Sequence, residues 1–186
     1  MLQGASMKKT CLFIDGSNFY HNLKDFWRTP LLDFSIFPNA IRQEISSKLQ
    51  EDVELIRTYY YIAPANRKGD PKTAMTEQKF FDYLRRLPKF EVKLGRLEPR
   101  RGTWVEKEVD VTLAVDMISF ARKNIYDIGV LVSDDGDYRS VLHEVKEMGK
   151  IPVYAGLSET RVLLDESDIF LDLRKCVINK DMFRQH

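Results

Sequence analysis

Two stretches decide the fold of this 186-residue chain: residues 11–20, CLFIDGSNFY, and residues 128–138, IGVLVSDDGDY. Each opens with an uninterrupted apolar run, which is typical of a strand buried on both faces of a sheet. Each run stops at or next to an aspartate, and a segment with helical periodicity follows. Strands that alternate with crossover helices predict a parallel sheet covered by helices, and ligands of such sheets bind beyond the carboxyl ends of the strands.

The same alternation continues through most of the chain. The remaining predicted strands cover residues 53–62, 90–94, 151–155 and 169–173. The predicted helices cover residues 17–26, 38–50, 76–87, 109–123, 138–148 and 161–166, and residues 27–37 and 63–73 are predicted to be irregular. Residues 95–103, which contain Pro99 and Gly102, predict a hairpin or arm. We therefore predict the α/β class, as a three-layer α/β/α fold with a mostly parallel central sheet and a small hairpin or arm near residues 90–106.

Composition excludes several classes of protein. Hydrophobic residues make up 44% and charged residues 31% of the chain, which argues against intrinsic disorder. The formal net charge of +1 means that any nucleic-acid binding must come from a local patch. Two cysteines are too few for a disulfide framework or a cysteine-rich zinc site. No apolar run approaches the ~18 residues that cross a bilayer, so we expect a cytoplasmic protein without a membrane partner.

We expect a single domain over residues 7–175, because the chain has the length of one domain and contains neither an internal repeat nor an obvious linker. Residues 1–6 precede a second methionine, Met7, and are expected to be a vector-derived or disordered leader. Residues 176–186 are expected to be a C-terminal tail. A homodimer is a plausible assembly for a domain of this size.

An acidic constellation marks the carboxyl edge of the predicted sheet. Asp15 ends the first strand, and Asp134, Asp135 and Asp137 follow the strand at residues 128–132. Asp110 begins a predicted helix and can point to the same edge. Crowded carboxylates repel one another unless protons or a cation neutralise them. Hard oxygen ligands without nearby histidine or cysteine select Mg²⁺ or Mn²⁺ over zinc.

Simpler explanations exist for each acid taken alone. Asp-Gly is ordinary turn chemistry after a strand, and aspartate often caps a helix or opens its first turn. Three acids among residues 134–137 exceed what a turn and a cap require, so the functional interpretation is favoured there. Asp116 lies six positions after Asp110 and is rotated to another face of the helix, which makes it a secondary candidate.

Three ordered motifs resemble those of a known family. Residues 13–20, FIDGSNFY, resemble the opening motif of the NYN domain family, in the LabA-like branch of the PIN-like nucleases. Residues 107–117, KEVDVTLAVDM, resemble its central helix motif, and residues 126–138 resemble its Ser-Gly-Asp-x-Asp-Phe motif. The matches run from Cys11 to about Gly156. They imply a PIN-like, Rossmann-like NYN domain.

The resemblance implies a role for individual residues. The metal-binding and catalytic acids of the family fall on Asp15, Asp110, Asp135 and Asp137. Asn18 and Ser133 match polar positions near that site, where they could orient a metal-bound water or a phosphate oxygen.

Two positions depart from the family motif. Asp134 stands where the family usually has glycine, and its side chain is expected either to crowd the site or to add a ligand. Tyr138 replaces phenylalanine, which is expected to have a mild effect.

The implied activity is hydrolysis of RNA phosphodiester bonds by a metal-dependent ribonuclease that uses Mg²⁺ or Mn²⁺. Substrate would be held by the segment 85–107, which carries eight basic and three acidic residues. Its candidate nucleic-acid-binding residues are Arg96, Arg100, Arg101 and Lys107. Residues 100–104, RRGTW, combine guanidinium groups with an aromatic ring, a pairing that suits single-stranded RNA.

Two other function classes stay open. A catalytically weak or inactive RNA-binding or regulatory module of the same fold would keep the basic segment without the chemistry. A haloacid-dehalogenase-like phosphatase fits less well, because Asp15-Gly16-Ser17 lacks the second acid after the first strand. A receiver-like domain also fits less well, since it needs an acidic pair there.

Overall fold

The computed structural model of the protein describes residues 7–27, 32–64, 71–100 and 103–176. The strands are β1 (Lys8–Asp15), β2 (Val53–Ile62), β3 (Phe90–Leu94), β4 (Arg96–Arg100), β5 (Thr103–Lys107), β6 (Ile128–Val132), β7 (Ile151–Gly156) and β8 (Ile169–Asp172). The helices are α1 (Gly16–Trp27), α2 (Phe37–Leu49), α3 (Pro71–Arg86), α4 (Val109–Arg122), α5 (Arg139–Glu147), α6 (Arg161–Leu164) and α7 (Leu173–Cys176). A 3₁₀ turn at Gly136–Tyr138 precedes α5.

Six strands form one parallel sheet in the order β3-β2-β1-β6-β7-β8, with helices on both faces. The predicted three-layer α/β/α class is thereby confirmed, and the fold is PIN-like. The predicted hairpin is also present: β4 and β5 pair antiparallel, with Arg96 opposite Lys107 and Arg100 opposite Thr103. This hairpin connects β3 directly to α4.

The strand order places the two acidic strand ends side by side. β1 pairs with β6 from Thr10 opposite Ile128 to Ile14 opposite Val132. β6 is wholly apolar and buried, and β1 is apolar and buried from Cys11 to Ile14, because helices cover both faces of a parallel sheet. Asp15 and Ser133 therefore leave the sheet at adjacent points of its carboxyl edge.

The turn from β1 into α1 depends on Gly16. A Cβ atom at this position would lie 2.6 Å from Cε1 of Tyr60 and 2.8 Å from the carbonyl oxygen of Tyr61. The absence of a side chain lets α1 start directly after Asp15, which keeps Asn18 within hydrogen-bonding distance of the Asp15 carboxylate.

Alternating residues of the strands contribute side chains to two apolar cores, one on each face of the sheet. Leu12 and Ile14 pack on one face with α2, whereas Phe13 packs on the other with Leu113 and Tyr126. Tyr59, Tyr60 and Tyr61 are 6%, 2% and 1% exposed, so this row serves packing and is closed to base stacking.

The element boundaries differ from the prediction mainly around helices. α3 begins at Pro71, where the sequence analysis placed loop, because proline is well tolerated in the first turn of a helix. The last predicted helix-strand pair is shorter, and α7 follows β8 without a loop. The predicted leader at residues 1–6, residues 65–70 of the predicted loop and residues 177–186 of the predicted tail lie outside the described residues. No helix within the described ranges has the length and apolar character needed to cross a membrane.

Candidate active site

Asp15 is the centre of the acidic edge and is only 3% exposed. Its Oδ1 atom accepts a hydrogen bond from the backbone N–H of Asn18 at 3.1 Å. Its Oδ2 atom accepts from the hydroxyl groups of Ser133 at 3.3 Å and Tyr138 at 3.2 Å. Donors from α1, from the end of β6 and from the 3₁₀ turn therefore fix the orientation of this carboxylate.

Asp110, in the first turn of α4, faces the same hydroxyl from the solvent side. The Tyr138 hydroxyl lies 3.3 Å from Oδ1 of Asp110, so one phenol connects a carboxylate from β1 with a carboxylate from α4. From the sequence alone, tyrosine in place of phenylalanine at position 138 is expected to have a mild effect. The structure instead places its hydroxyl between two of the four predicted catalytic acids.

The pKa of Asp15 is raised to about 6, chiefly by burial and also by the negative charge of Asp110, while the three hydrogen-bond donors act in the opposite direction. A carboxylate whose charged form is penalised in this way would be stabilised by a cation placed beside it. The charged, buried carboxylate of Asp15 therefore destabilises the folded protein at neutral pH when no cation is bound.

This cost gives a stability prediction for the metal-free protein. Between the ordinary pKa near 3.8 and the folded value of about 6, the folded state binds a proton that the unfolded chain releases. The contribution of Asp15 to stability is thus present below pH 4 and is lost as pH rises to 6. We expect Asp15→Asn to stabilise the protein by about 2–3 kcal/mol at pH 7.5, and by much less at pH 4.

Urea unfolding of both proteins at the two pH values, in the presence of EDTA, measures this difference. Titrating groups remote from Asp15 cancel in the comparison because the two proteins share them. A free-energy difference that stays constant between pH 4 and pH 7.5 would contradict the buried-carboxylate interpretation.

Asp135 and Asp137 lie on the turn that follows β6. The Oδ1 atom of Asp135 accepts from the backbone N–H of Asp137 at 3.0 Å and caps the 3₁₀ turn, while its own N–H donates to Ser133 Oγ at 3.2 Å. The side chain of Asp137 is exposed. Within the described ranges, no three Asp, Glu, His or Cys side chains come together closely enough to hold a metal ion. The structure thus pairs Asp15 with Asp110, and leaves Asp135 and Asp137 as neighbours on an adjoining turn.

The Asp134 carboxylate is hydrogen-bonded to α1 and to the end of β7 and the loop that follows it. Its carboxylate accepts hydrogen bonds from Asn22 Nδ2 at 2.8 Å, from the backbone N–H groups of Leu157 at 3.1 Å and Ser158 at 3.2 Å, and from the Tyr154 hydroxyl. All four acceptor positions of the carboxylate are occupied by protein donors. Of the two expectations for Asp134, extra ligand or crowding of the site, the structure supports neither, since the side chain joins α1 to the loop after β7.

Asn18 links this Asp134 network to the central carboxylate. Its backbone N–H donates to Asp15, and its side-chain oxygen accepts from the backbone N–H of Asp134 at 2.9 Å and from Asn22 Nδ2 at 3.0 Å. Asn22 and Tyr154 were missed by the sequence analysis. The one available signal was the spacing of Asn18 and Asn22, which places them on the same side of a helix.

Asp116 is engaged elsewhere. Its Oδ2 atom accepts from the Tyr61 hydroxyl at 3.0 Å and lies 3.9 Å from Lys93 Nζ. These partners belong to β2 and β3, whereas Asp110 faces Tyr138. The different orientation of the two α4 acids follows from their spacing along the helix.

The predicted nucleic-acid-binding residues lie on the hairpin that leads into α4. Arg96 is exposed, and its Nε atom pairs with Glu108 Oε2 at 3.2 Å, directly before the helix that carries Asp110. Lys107 is opposite Arg96 in the hairpin, and Arg100 is at the far end of β4. Arg101 lies outside the described residues.

The donor chemistry of the site fits a hard divalent cation. A buried carboxylate with an unfavourable charge, Asp15, stands beside an exposed carboxylate, Asp110, and the donors around them are hydroxyl, amide and carboxylate groups. Such oxygen donors suit Mg²⁺ and Mn²⁺.

A three-layer fold with an all-parallel central sheet, and with acids at the ends of its two central strands, is consistent with a PIN-like domain. A family model for the NYN domain matches residues 9–174, and the chain belongs to the NYN domain family. This is a nuclease-like family, and PIN-like nuclease domains generally use divalent metals.

A solved structure shares the fold. The crystal structure of a protein of unknown function from Vibrio parahaemolyticus superposes with a TM-score of 0.72 and 24% sequence identity, covering 98% of this chain and 100% of that chain. At this level of identity the likeness supports the fold alone. No match was found among curated proteins.

Proposed function

We propose that this NYN domain is a metal-dependent ribonuclease of the LabA-like branch, which hydrolyses phosphodiester bonds of single-stranded RNA. The observation that carries the proposal is the pairing of Asp15 and Asp110 at the carboxyl edge of the sheet, around a single hydroxyl group. Buried carboxylates with raised pKa values are concentrated at functional sites.

Asp15 and Asp110 would hold Mg²⁺ or Mn²⁺, with Asp135 and Asp137 contributing from the adjoining turn. The cation would supply positive charge for the scissile phosphate and lower the pKa of an attacking water. The Asn18 N–H and the Ser133 hydroxyl hold Asp15 in one orientation, so that little reorganisation accompanies binding.

The basic hairpin would bind the substrate strand beside this site. The backbone register pairs Arg96 with Lys107 at the base of the hairpin, next to the start of α4. Their charges would hold phosphates while the acidic edge, without a cation, repels them. Binding of RNA near Asp15 should therefore depend on both the hairpin and the metal.

A second candidate function is a non-catalytic RNA-binding module. It is favoured by the absence of a three-carboxylate cluster within the described part of the chain. The two candidate functions predict different outcomes when the protein is incubated with RNA and a divalent cation.

We expect labelled single-stranded RNA to be cleaved in the presence of Mn²⁺ or Mg²⁺ and to stay intact in EDTA. The reason is that the paired carboxylates repel phosphate until a cation neutralises them. Gel electrophoresis of the products, with gel-shift analysis of the same mixtures, measures both outcomes. Binding without cleavage would favour the non-catalytic module, and cleavage that persists in EDTA would contradict the metal-dependent mechanism.

A further inference from the structure

The hydroxyl group of Tyr138 occupies a position that is fixed by the core. The residue is 2% exposed, and its ring packs in the apolar cluster that includes Leu142 and Leu163. Its oxygen lies 3.2 Å from Oδ2 of Asp15 and 3.3 Å from Oδ1 of Asp110. The ring packing, rather than the two carboxylates, therefore determines where this hydroxyl stands.

The hydroxyl hydrogen and a bridging cation need the same lone pairs. A divalent cation held by Asp15 and Asp110 would use carboxylate lone pairs, and one oxygen of each carboxylate lies within hydrogen-bonding distance of the phenol oxygen. The hydroxyl hydrogen occupies the same space, because it is donated to one or the other of these two carboxylates. A cation entering there displaces the hydrogen bond and meets the positive end of the O–H dipole.

We propose that the Tyr138 hydroxyl competes with the divalent cation for the Asp15–Asp110 pair, and so raises the cation concentration at which the site fills. The proposal rests on the metal site of the proposed function. The family motif that this sequence resembles has phenylalanine at this position. A phenylalanine ring would fill the same space in the core without the hydroxyl group. The competition is thus attributed to one oxygen atom of this chain.

The competing hydrogen bond also explains how the cation-free site is held together. Ser133 and Asn18 donate to Asp15 alone, whereas Tyr138 reaches both acids. Removal of the phenol oxygen leaves the two carboxylates facing each other without a shared donor. Their mutual repulsion then favours cation binding.

The test is a titration of metal-free protein with Mn²⁺ by isothermal titration calorimetry. We expect Tyr138→Phe to bind Mn²⁺ about tenfold more tightly than the wild type, the effect of removing one hydrogen bond to a charged group. The Mn²⁺ concentration that raises the melting temperature should fall by about the same factor. Asp110→Asn should weaken binding in both backgrounds, which assigns the bound ion to this site.

Tyr126→Phe is the matched control. Its hydroxyl is equally buried and donates to the carbonyl oxygen of Met117, within the same helix that carries Asp110 but away from the acids. Loss of this phenol oxygen should lower stability and leave the Mn²⁺ affinity unchanged. Circular dichroism verifies that both phenylalanine variants are folded.

The outcomes separate this proposal from the proposed function. Mn²⁺ binding that requires Asp110 but is equal or weaker in Tyr138→Phe overturns the competition and leaves the metal site standing. Binding by Tyr138→Phe at lower Mn²⁺ than the wild type supports the competition. No binding by either protein at millimolar Mn²⁺ overturns both proposals.

Discussion

Asp15→Asn is expected to lower the rate of RNA cleavage roughly a thousandfold, since loss of a charged ligand removes several kcal/mol of stabilisation from a metal-assisted transition state. Asparagine retains an oxygen that can accept from the Asn18 N–H, so the local structure is preserved. Single-turnover cleavage of labelled RNA in saturating Mn²⁺ measures the effect. Asp110→Asn should also reduce the rate, because it removes the second carboxylate of the pair.

The expected stability of Asp15→Asn separates a loss of activity from a loss of folding. Because Asp15→Asn is expected to be more stable than the wild type at neutral pH, a loss of activity cannot be attributed to unfolding. Asp127→Asn is the matched control: Asp127 precedes β6 at the opposite edge of the sheet, where it accepts from the backbone N–H of Lys9. Equal cleavage by the Asp15→Asn and Asp127→Asn proteins would indicate a contaminating nuclease and refute the assignment.

The second large effect is expected at Asp134. Asp134→Ala removes the acceptor for Asn22, Tyr154 and two backbone N–H groups, and three of these four hydrogen bonds are partly buried, while that from Ser158 is exposed. Donors left unsatisfied cost about 1–3 kcal/mol each when buried, and water can replace part of the loss here, so we expect a total loss of about 2–4 kcal/mol. Urea unfolding in EDTA measures the change in the free energy of unfolding.

Asp137→Ala provides the comparison within the same loop. Its side chain is exposed, and its replacement should change the free energy of unfolding by less than about 0.5 kcal/mol. The ratio of the two effects distinguishes a structural acid from an acid available for chemistry. If Asp134→Ala is as stable as Asp137→Ala, the hydrogen-bond network described here does not hold the loop together.

The main features of the fold could be predicted because they follow from local patterns. The buried strands β1 and β6 are uninterrupted apolar runs, and the turn residues Pro99 and Gly102 marked the hairpin. Neighbouring strand ends then bring Asp15 and Ser133 together without any knowledge of side-chain conformation.

The directions of individual side chains could not be predicted in the same way. Asp134 and Asp135 are adjacent in the sequence, yet one binds the loop after β7 and the other caps the 3₁₀ turn. Beyond the end of a strand, the backbone no longer alternates with a period of two, so the sequence gives no rule for which carboxylate faces the site. The partners of the Tyr138 hydroxyl could not be predicted for a related reason, since they come from β1 and α4.

The contact between Asp134 and the end of β7 restricts what position 156 can accept. A Cβ atom on Gly156 would collide with the Asp134 carboxylate and with the Tyr154 hydroxyl. Any side chain at position 156 would have to displace both groups, so the glycine and the acid form a coupled pair whose substitution effects are not additive.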